Sequence, residues 1–206
     1  RPTEEVFSGF LRIDVFDVLS YGYVSDSLIR EYQKKLLSGR RGNKHITDPS
    51  WFTEVQKDAP SNPNRFKHAM NKMLRPKRED DKVFCPVHFP TAGKHWAAIT
   101  FTADTSQPVQ YLDSLRLEQR EANLERADIL KCLNRLGETA TPPKKWTEVE
   151  IVSVPTQKGC DCGIYVNEFA RRWVQDADYG NIDESYNGPE LRVKQLKATM
   201  EEYQLV

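Results

Sequence analysis

Residues 149 to 174 place the tightest constraint on how this chain can fold. Val149-Glu150-Ile151-Val152-Ser153-Val154 reads as a strand, and Ile164-Tyr165-Val166-Asn167-Glu168-Phe169-Ala170-Arg171-Arg172-Trp173-Val174 as a buried helix. Gln157-Lys158-Gly159-Cys160-Asp161-Cys162-Gly163 joins them. A strand that turns into a helix through this segment sets Cys162 at the helix mouth. Unpaired backbone N–H groups and the helix dipole favour thiolate over thiol there. The thiolate is the reactive nucleophile.

Upstream, His95-Trp96 opens a strand-like run, and Tyr111-Leu112-Asp113-Ser114 closes the next one, with Asp113 eighteen positions after His95. If those two strands are neighbours, His95 and Asp113 meet at one end of a sheet. The carboxylate would then orient the imidazole and stabilise its charged form. Gln157 lies five residues before Cys162. Its amide donates hydrogen bonds without being a base, which suits an oxyanion hole shared with the Cys162 backbone N–H. Taken singly, each residue is better explained as a loop, cap or surface group. Their order, His then Asp then Gln then Cys, is what points to thiol chemistry.

At 206 residues the chain fits a single domain, 1–206, large enough for a proper core. Thirty Lys and Arg balance thirty Asp and Glu, so no whole-molecule field argues for nucleic acid. No apolar run approaches the roughly 18 residues that span a bilayer, and no signal peptide is visible. Four cysteines, Cys85, Cys132, Cys160 and Cys162, do not form a disulfide scaffold in a chain this long. A reducing compartment, nucleus or cytoplasm, is therefore expected. Because the chain opens on Arg1 and not Met, it reads as a domain excised from something longer, with targeting signals elsewhere.

Ser25 should cap a helix running to about Leu37, with Leu28, Tyr32 and Leu36 on one face and Gly39 ending it. Residues 40 to 65 read mostly as loop with short helical turns, and residues 66 to 74 as a short helix. Strands are expected at Val83–Phe89, Trp96–Thr102 and Val109–Leu112, with a turn at Asp104–Pro108. A long helix from Leu117 to Leu136 should turn Leu124, Ile129, Leu133 and Leu136 inward, closed by Gly137. Pro189 should start a last helix reaching about Tyr203. Helices around a small mixed or antiparallel sheet make this an α+β chain.

Zinc is the rival explanation for the cysteines, since Cys85-Pro86-Val87-His88 with Cys160 and Cys162 would supply three thiols and an imidazole. Cys-x-Cys is a poor structural zinc spacing, and no metal or other cofactor is expected. Cys85 and Cys132 read as core or half-buried positions. The basic run of Arg30, Lys34, Lys35, Arg40, Arg41 and Lys44 against Glu31 reads first as a solvated face, and second as a patch for an acidic partner or nucleic acid.

These residues resemble the Ulp/sentrin-specific family of cysteine proteases, which process and remove ubiquitin-like modifiers. The similarity lies in His95-Trp96, in Tyr111-Leu112-Asp113-Ser114-Leu115, and in Val154-Pro155-Thr156-Gln157 followed by Asp161-Cys162-Gly163-Ile164-Tyr165-Val166. Gly22-Tyr23-Val24-Ser25-Asp26-Ser27-Leu28-Ile29 is similar to the family's N-terminal block. The resemblance implies a papain-like, adenain-like fold with the nucleophile at a helix N-terminus. It also implies His95 as base, Asp113 as its orienter, Cys162 as nucleophile and Gln157 as oxyanion donor. Trp96 would roof a tunnel admitting a Gly-Gly tail, and Asp26 would contact the modifier. Two departures stand out: Tyr23 replaces the family's usual tryptophan, and the Gln157–Cys162 spacing is one residue shorter than usual.

The resemblance thus implies a monomeric peptidase that cleaves after the C-terminal Gly-Gly of SUMO, in maturation or deconjugation. The alternatives are a deubiquitinase or deneddylase acting on ubiquitin or NEDD8, an acetyltransferase effector with a related His-acid-Cys site working in a host cell, and an inactive modifier-binding module.

Overall fold

The computed structural model describes residues 5–7, 10–11, 22–38, 42–56, 80–89, 95–115, 119–138, 142–180 and 186–200. They fall into two compact units, one formed by residues 41–152 and the other by residues 1–40 with 153–206.

The unit of residues 41–152 is built on five strands, β3 (Lys44–Ile46), β4 (Lys82–Phe89), β5 (His95–Thr102), β6 (Val109–Leu112) and β7 (Val149–Val152), hydrogen-bonded in that order. The β3–β4 and β6–β7 pairs are parallel, while β4–β5 and β5–β6 are antiparallel, so the sheet is mixed. β4 and β5 are apolar along nearly their whole length because both of their faces are covered. Pro86 sits inside β4 without breaking it. β3 pairs only with Lys82 to Phe84, so no ladder bond on that side needs the N–H that proline lacks.

α2 (Trp51–Gln56) and α3 (Gln119–Gly137) pack with the sheet around Trp51, Phe52, Val87, Ile99, Tyr111, Ile129, Leu133 and Trp146. The turn at 104–108 is held by Asp104, whose Oδ1 accepts from the Ser106 N–H at 2.9 Å and from its hydroxyl at 2.7 Å. These bonds hold the Asp104 carboxyl below its ordinary value.

The second unit contains β1 (Glu5–Phe7) and β2 (Phe10–Leu11), an antiparallel pair, and three helices: α1 (Asp26–Leu37), α4 (Cys162–Val174) and α5 (Gly188–Met200). Ser25 caps α1 as expected, its Oγ accepting from the Leu28 N–H at 3.3 Å. α4 is buried from Cys162 through Ala170, which is what an apolar helix surface requires. α5 turns Arg192, Gln195, Leu196 and Thr199 inward along with Gly188, so three of the four buried residues that carry side chains are polar. Among the described residues no helix is long and apolar enough to cross a membrane.

The mixed sheet and flanking helices agree with the α+β expectation. Three local expectations need correction. Leu124 is 62 % exposed while Glu125 is buried, because Glu125 has a polar partner inside the unit, the Tyr111 hydroxyl. Leu36 is only half-buried, and Ile29 and Gln33 complete the inner face of α1 instead. The segment read as loop contains β3, whose three residues follow no apolar alternation. Gly39, the short helix at 66 to 74 and the end of the last helix lie outside the described residues.

The register of α3 can be checked by chemical denaturation. Ile129→Ala, at a fully buried position, should lose about 2–4 kcal/mol, whereas Leu124→Ala should stay within about 0.5 kcal/mol of the parent. Equal losses would show that the helix is rotated from the face described.

Candidate active site

The proposed site residues belong to two groups, one in each unit. In the sheet unit, His95 is the first residue of β5 and Asp113 follows the last residue of β6. The antiparallel pairing of Ala98 with Leu112 brings those strand ends together. His95 Nε2 lies 2.6 Å from Asp113 Oδ1, and the two side chains are 4 % and 7 % exposed. The same oxygen accepts from the Leu115 N–H at 2.8 Å, and Asp113 Oδ2 accepts from the Tyr111 hydroxyl at 3.0 Å. Asp113 is therefore fixed from three directions, and it fixes one ring nitrogen of His95.

Tyr111 also meets Glu125 Oε2. Burial first, then the charges of Asp113 and Glu125, push the Tyr111 phenol far up, so it remains a proton donor. Sequence reasoning did not single out either residue. A signal existed for Tyr111, since positions i and i+2 around a strand end point the same way and Tyr111 stands two before Asp113. Nothing comparable marks Glu125, whose role depends on the rotation of α3.

Trp96, next to His95, is 5 % exposed and packs on His88 with ring centroids 4.5 Å apart and planes 31° apart. It is a largely buried ring held by an aromatic neighbour on β4.

In the helical unit, Cys162 is the first residue of α4 and is 2 % exposed. The Tyr165 N–H bonds back to the Asp161 carbonyl at 2.9 Å, starting the helix and leaving the N–H groups of its first turn without intrahelical acceptors. Gly163 has no room for a side chain, as a methyl there would sit 2.7 Å from Val24 Cβ. Gly159 has φ +63°, which lets the turn before the cysteine reverse tightly. The Tyr165 hydroxyl donates to the Thr156 carbonyl at 3.1 Å and so ties down the residue before Gln157. Gln157 Nε2 donates to the Gly159 carbonyl at 2.9 Å, folding the amide over its own loop.

Tyr23 is 49 % exposed and hydrogen-bonds the Cys160 thiol, and this contact is the largest cause raising its phenol above the ordinary value. Asp26 opens α1 with a side chain 51 % exposed and pairs with Arg30 at 3.4 Å.

All four cysteines are free thiols. Cys85 is fully buried, and that burial pushes its thiol up out of reach of neutral pH. Cys132 is pushed up to about 12, by burial first and then by Asp128. Both stay protonated at neutral pH. Among the described residues no group of three or more His, Cys, Asp or Glu is placed to hold a metal ion.

Sequence reasoning also missed Arg192. It is 2 % exposed on α5 and donates from Nε to Asp161 Oδ1 at 2.7 Å, from Nη2 to the Cys160 carbonyl at 3.0 Å, and from Nη1 to the Gly22 carbonyl at 3.1 Å. It lies thirty positions after the cysteine motif, and no spacing links the two.

No curated protein matches the chain by sequence. Several solved structures match its fold. The C-terminal Ulp1 protease domain in complex with Smt3, the yeast ortholog of SUMO, has a TM-score of 0.64 at 20 % identity, covering 93 % of this chain and 81 % of that one. The Xanthomonas campestris effector protein XopD bound to ubiquitin has a TM-score of 0.61 at 19 % identity, covering 85 % and 90 %. The Chaetomium thermophilum Ulp1-like SUMO protease catalytic domain has a TM-score of 0.55 at 15 % identity, covering 86 % and 71 %. At these identities the likeness speaks to fold, which agrees with the papain-like α+β expectation. The model of the Ulp1 protease family, C-terminal catalytic domain, matches residues 23–204, and the chain belongs to that family.

Proposed function

We propose that this cysteine protease of ubiquitin-like modifiers cleaves after the C-terminal Gly-Gly of SUMO, releasing it from precursors or conjugates. The carrying observation is the engagement of His95 Nε2 by a carboxylate that the Tyr111 hydroxyl and the Leu115 N–H hold in place. An imidazole held at Nε2 exchanges protons through Nδ1. Nδ1 would take the Cys162 proton, and the thiolate would attack the glycine carbonyl. The resulting imidazolium would return the proton to the leaving amine, and water would then hydrolyse the thioester. Gln157 and the Cys162 backbone N–H would hold the oxyanion, with the Gln157 amide first leaving the Gly159 carbonyl. Asp26 and Tyr23 would meet the modifier and its tail, and Trp96 would confine the two glycines. The thiol chemistry favours a reducing compartment, nucleus or cytoplasm.

Support for SUMO comes from the yeast relative, which was solved in complex with Smt3, and the ubiquitin complex of XopD supports ubiquitin as a second reading. A panel of SUMO, ubiquitin and NEDD8, each carrying a C-terminal electrophile, separates them. SUMO should attach to Cys162 at least about tenfold faster than the others. Preferential capture of ubiquitin would make the enzyme a deubiquitinase. A SUMO ending in Ala-Ala should be nearly inert, since each added methyl needs space that a tunnel fitted to glycine lacks.

Substitutions test the assignment of roles. Cys162→Ala should abolish turnover and keep SUMO binding, whereas Cys160→Ala should retain most activity. Asp113→Asn should slow the chemical step at least about 100-fold with little change in SUMO affinity, because the carboxylate acts through His95. A matching loss of affinity would recast Asp113 as a docking residue.

A further inference from the structure

We propose that Arg192 is a positioning residue that holds Asp161 away from the N-terminus of α4, keeping the helix mouth free of a competing carboxylate. The inference rests on the reading of Cys162 as nucleophile. Aspartate is among the strongest N-cap residues, and its side chain normally accepts from the second or third N–H of the helix. Asp161 occupies the N-cap position of α4 yet makes no side-chain capping bond, and its φ −90°, ψ 4° is not the extended conformation that caps adopt. Ser25 on α1 shows the ordinary arrangement in the same unit, with φ −74°, ψ 159° and a capping bond to Leu28.

The difference originates on α5. Arg192 Nε donates to Asp161 Oδ1 at 2.7 Å, and the guanidinium is locked by two further bonds, to the carbonyls of Cys160 and Gly22. Gly188 lets the carboxylate reach α5, as a methyl there would sit 2.1 Å from Asp161 Oδ2. A carboxylate released from this clamp would swing onto the N–H groups of Gly163 and Ile164. Its negative charge would then face both the thiolate and the oxyanion that forms beside it. Arg192 thus neutralises Asp161 and aims it elsewhere. Through the Gly22 carbonyl it also anchors the residue preceding Tyr23.

The test uses the whole chain, with iodoacetamide alkylation of Cys162 at pH 7 followed by mass spectrometry, and turnover of SUMO carrying a fluorogenic C-terminal amide. Arg192→Met should slow both at least about tenfold, the scale of one uncompensated charge, with KM for SUMO within about twofold. The double variant Asp161→Ala/Arg192→Met should recover most of the loss, since no carboxylate remains to swing in. A merely structural arginine would leave the double variant as slow as the single one, and that result overturns the proposal. If Arg192→Met does not fold, Gly188→Ala displaces Asp161 with Arg192 intact. It should lose activity that Asp161→Ala restores, and failure of that rescue overturns the proposal equally. Arg192→Lys, which keeps a charge partner for Asp161, should lose less than Arg192→Met. Residual SUMO turnover by Cys162→Ala would refute the nucleophile assignment itself, an outcome distinct from any of these.

Discussion

The eight-residue antiparallel pairing of β4 with β5, from Lys82 opposite Thr102 to Phe89 opposite His95, is the constraint on which the sheet unit depends. It runs through strands buried on both faces, where a one-residue slip would turn every core side chain around and strand polar groups in the interior. His95 is the last rung of this ladder, so its position follows from core packing along the whole strand. β6 then pairs with β5 over Ala98 to Thr100, and that shorter register brings Asp113 to the imidazole. A hydrogen bond of 2.6 Å between side chains eighteen residues apart is thereby made as reproducible as the core itself.

The helical unit achieves comparable order by other means. Its α4–α5 contact is organised by buried polar groups: Asn167 Nδ2 donates to Gln195 Oε1 at 3.1 Å, Gln195 Nε2 donates to the Ile164 carbonyl at 2.9 Å, and Arg192 binds Asp161. Each bond is directional, so α5 has a single rotation and height against α4. Breaking one leaves the other member buried and unsatisfied, a cost of about 1–3 kcal/mol that enforces the arrangement. The loop carrying the cysteine is consequently held from both ends, by Tyr165 at Thr156 and by Arg192 at Cys160 and Asp161.

This division explains what could be read from the chain. Strands β4, β5, β6 and β7 and helix α4 announced themselves through β-branched runs and continuous apolarity, because hydrophobic burial is their main organiser. Ser25 announced α1 through its capping chemistry, and the His95–Asp113 contact followed once β5 and β6 were assumed neighbours. Leu124 was misplaced because α3 uses Glu125, not a leucine, at an inward position, and a buried carboxylate is invisible to a hydrophobic pattern. α5 concealed its inner face for the same reason. Its exposed Val193 and buried Arg192 invert the usual rule, and only the partner on α4 reveals why. β3 escaped notice because three residues are too few to show a period.

The thiol inventory has a practical side for chemical biology. Cys85 and Cys132 are silenced twice, by enclosure in the core and by the protonation that enclosure enforces. A covalent ligand for this molecule therefore needs no built-in discrimination against them. The remaining choice lies between two neighbours separated by Asp161, of which Cys160 is partly open and engaged by the Tyr23 phenol while Cys162 is enclosed. Ligand selectivity thus reduces to a choice between two thiols at one turn, one partly open and the other enclosed.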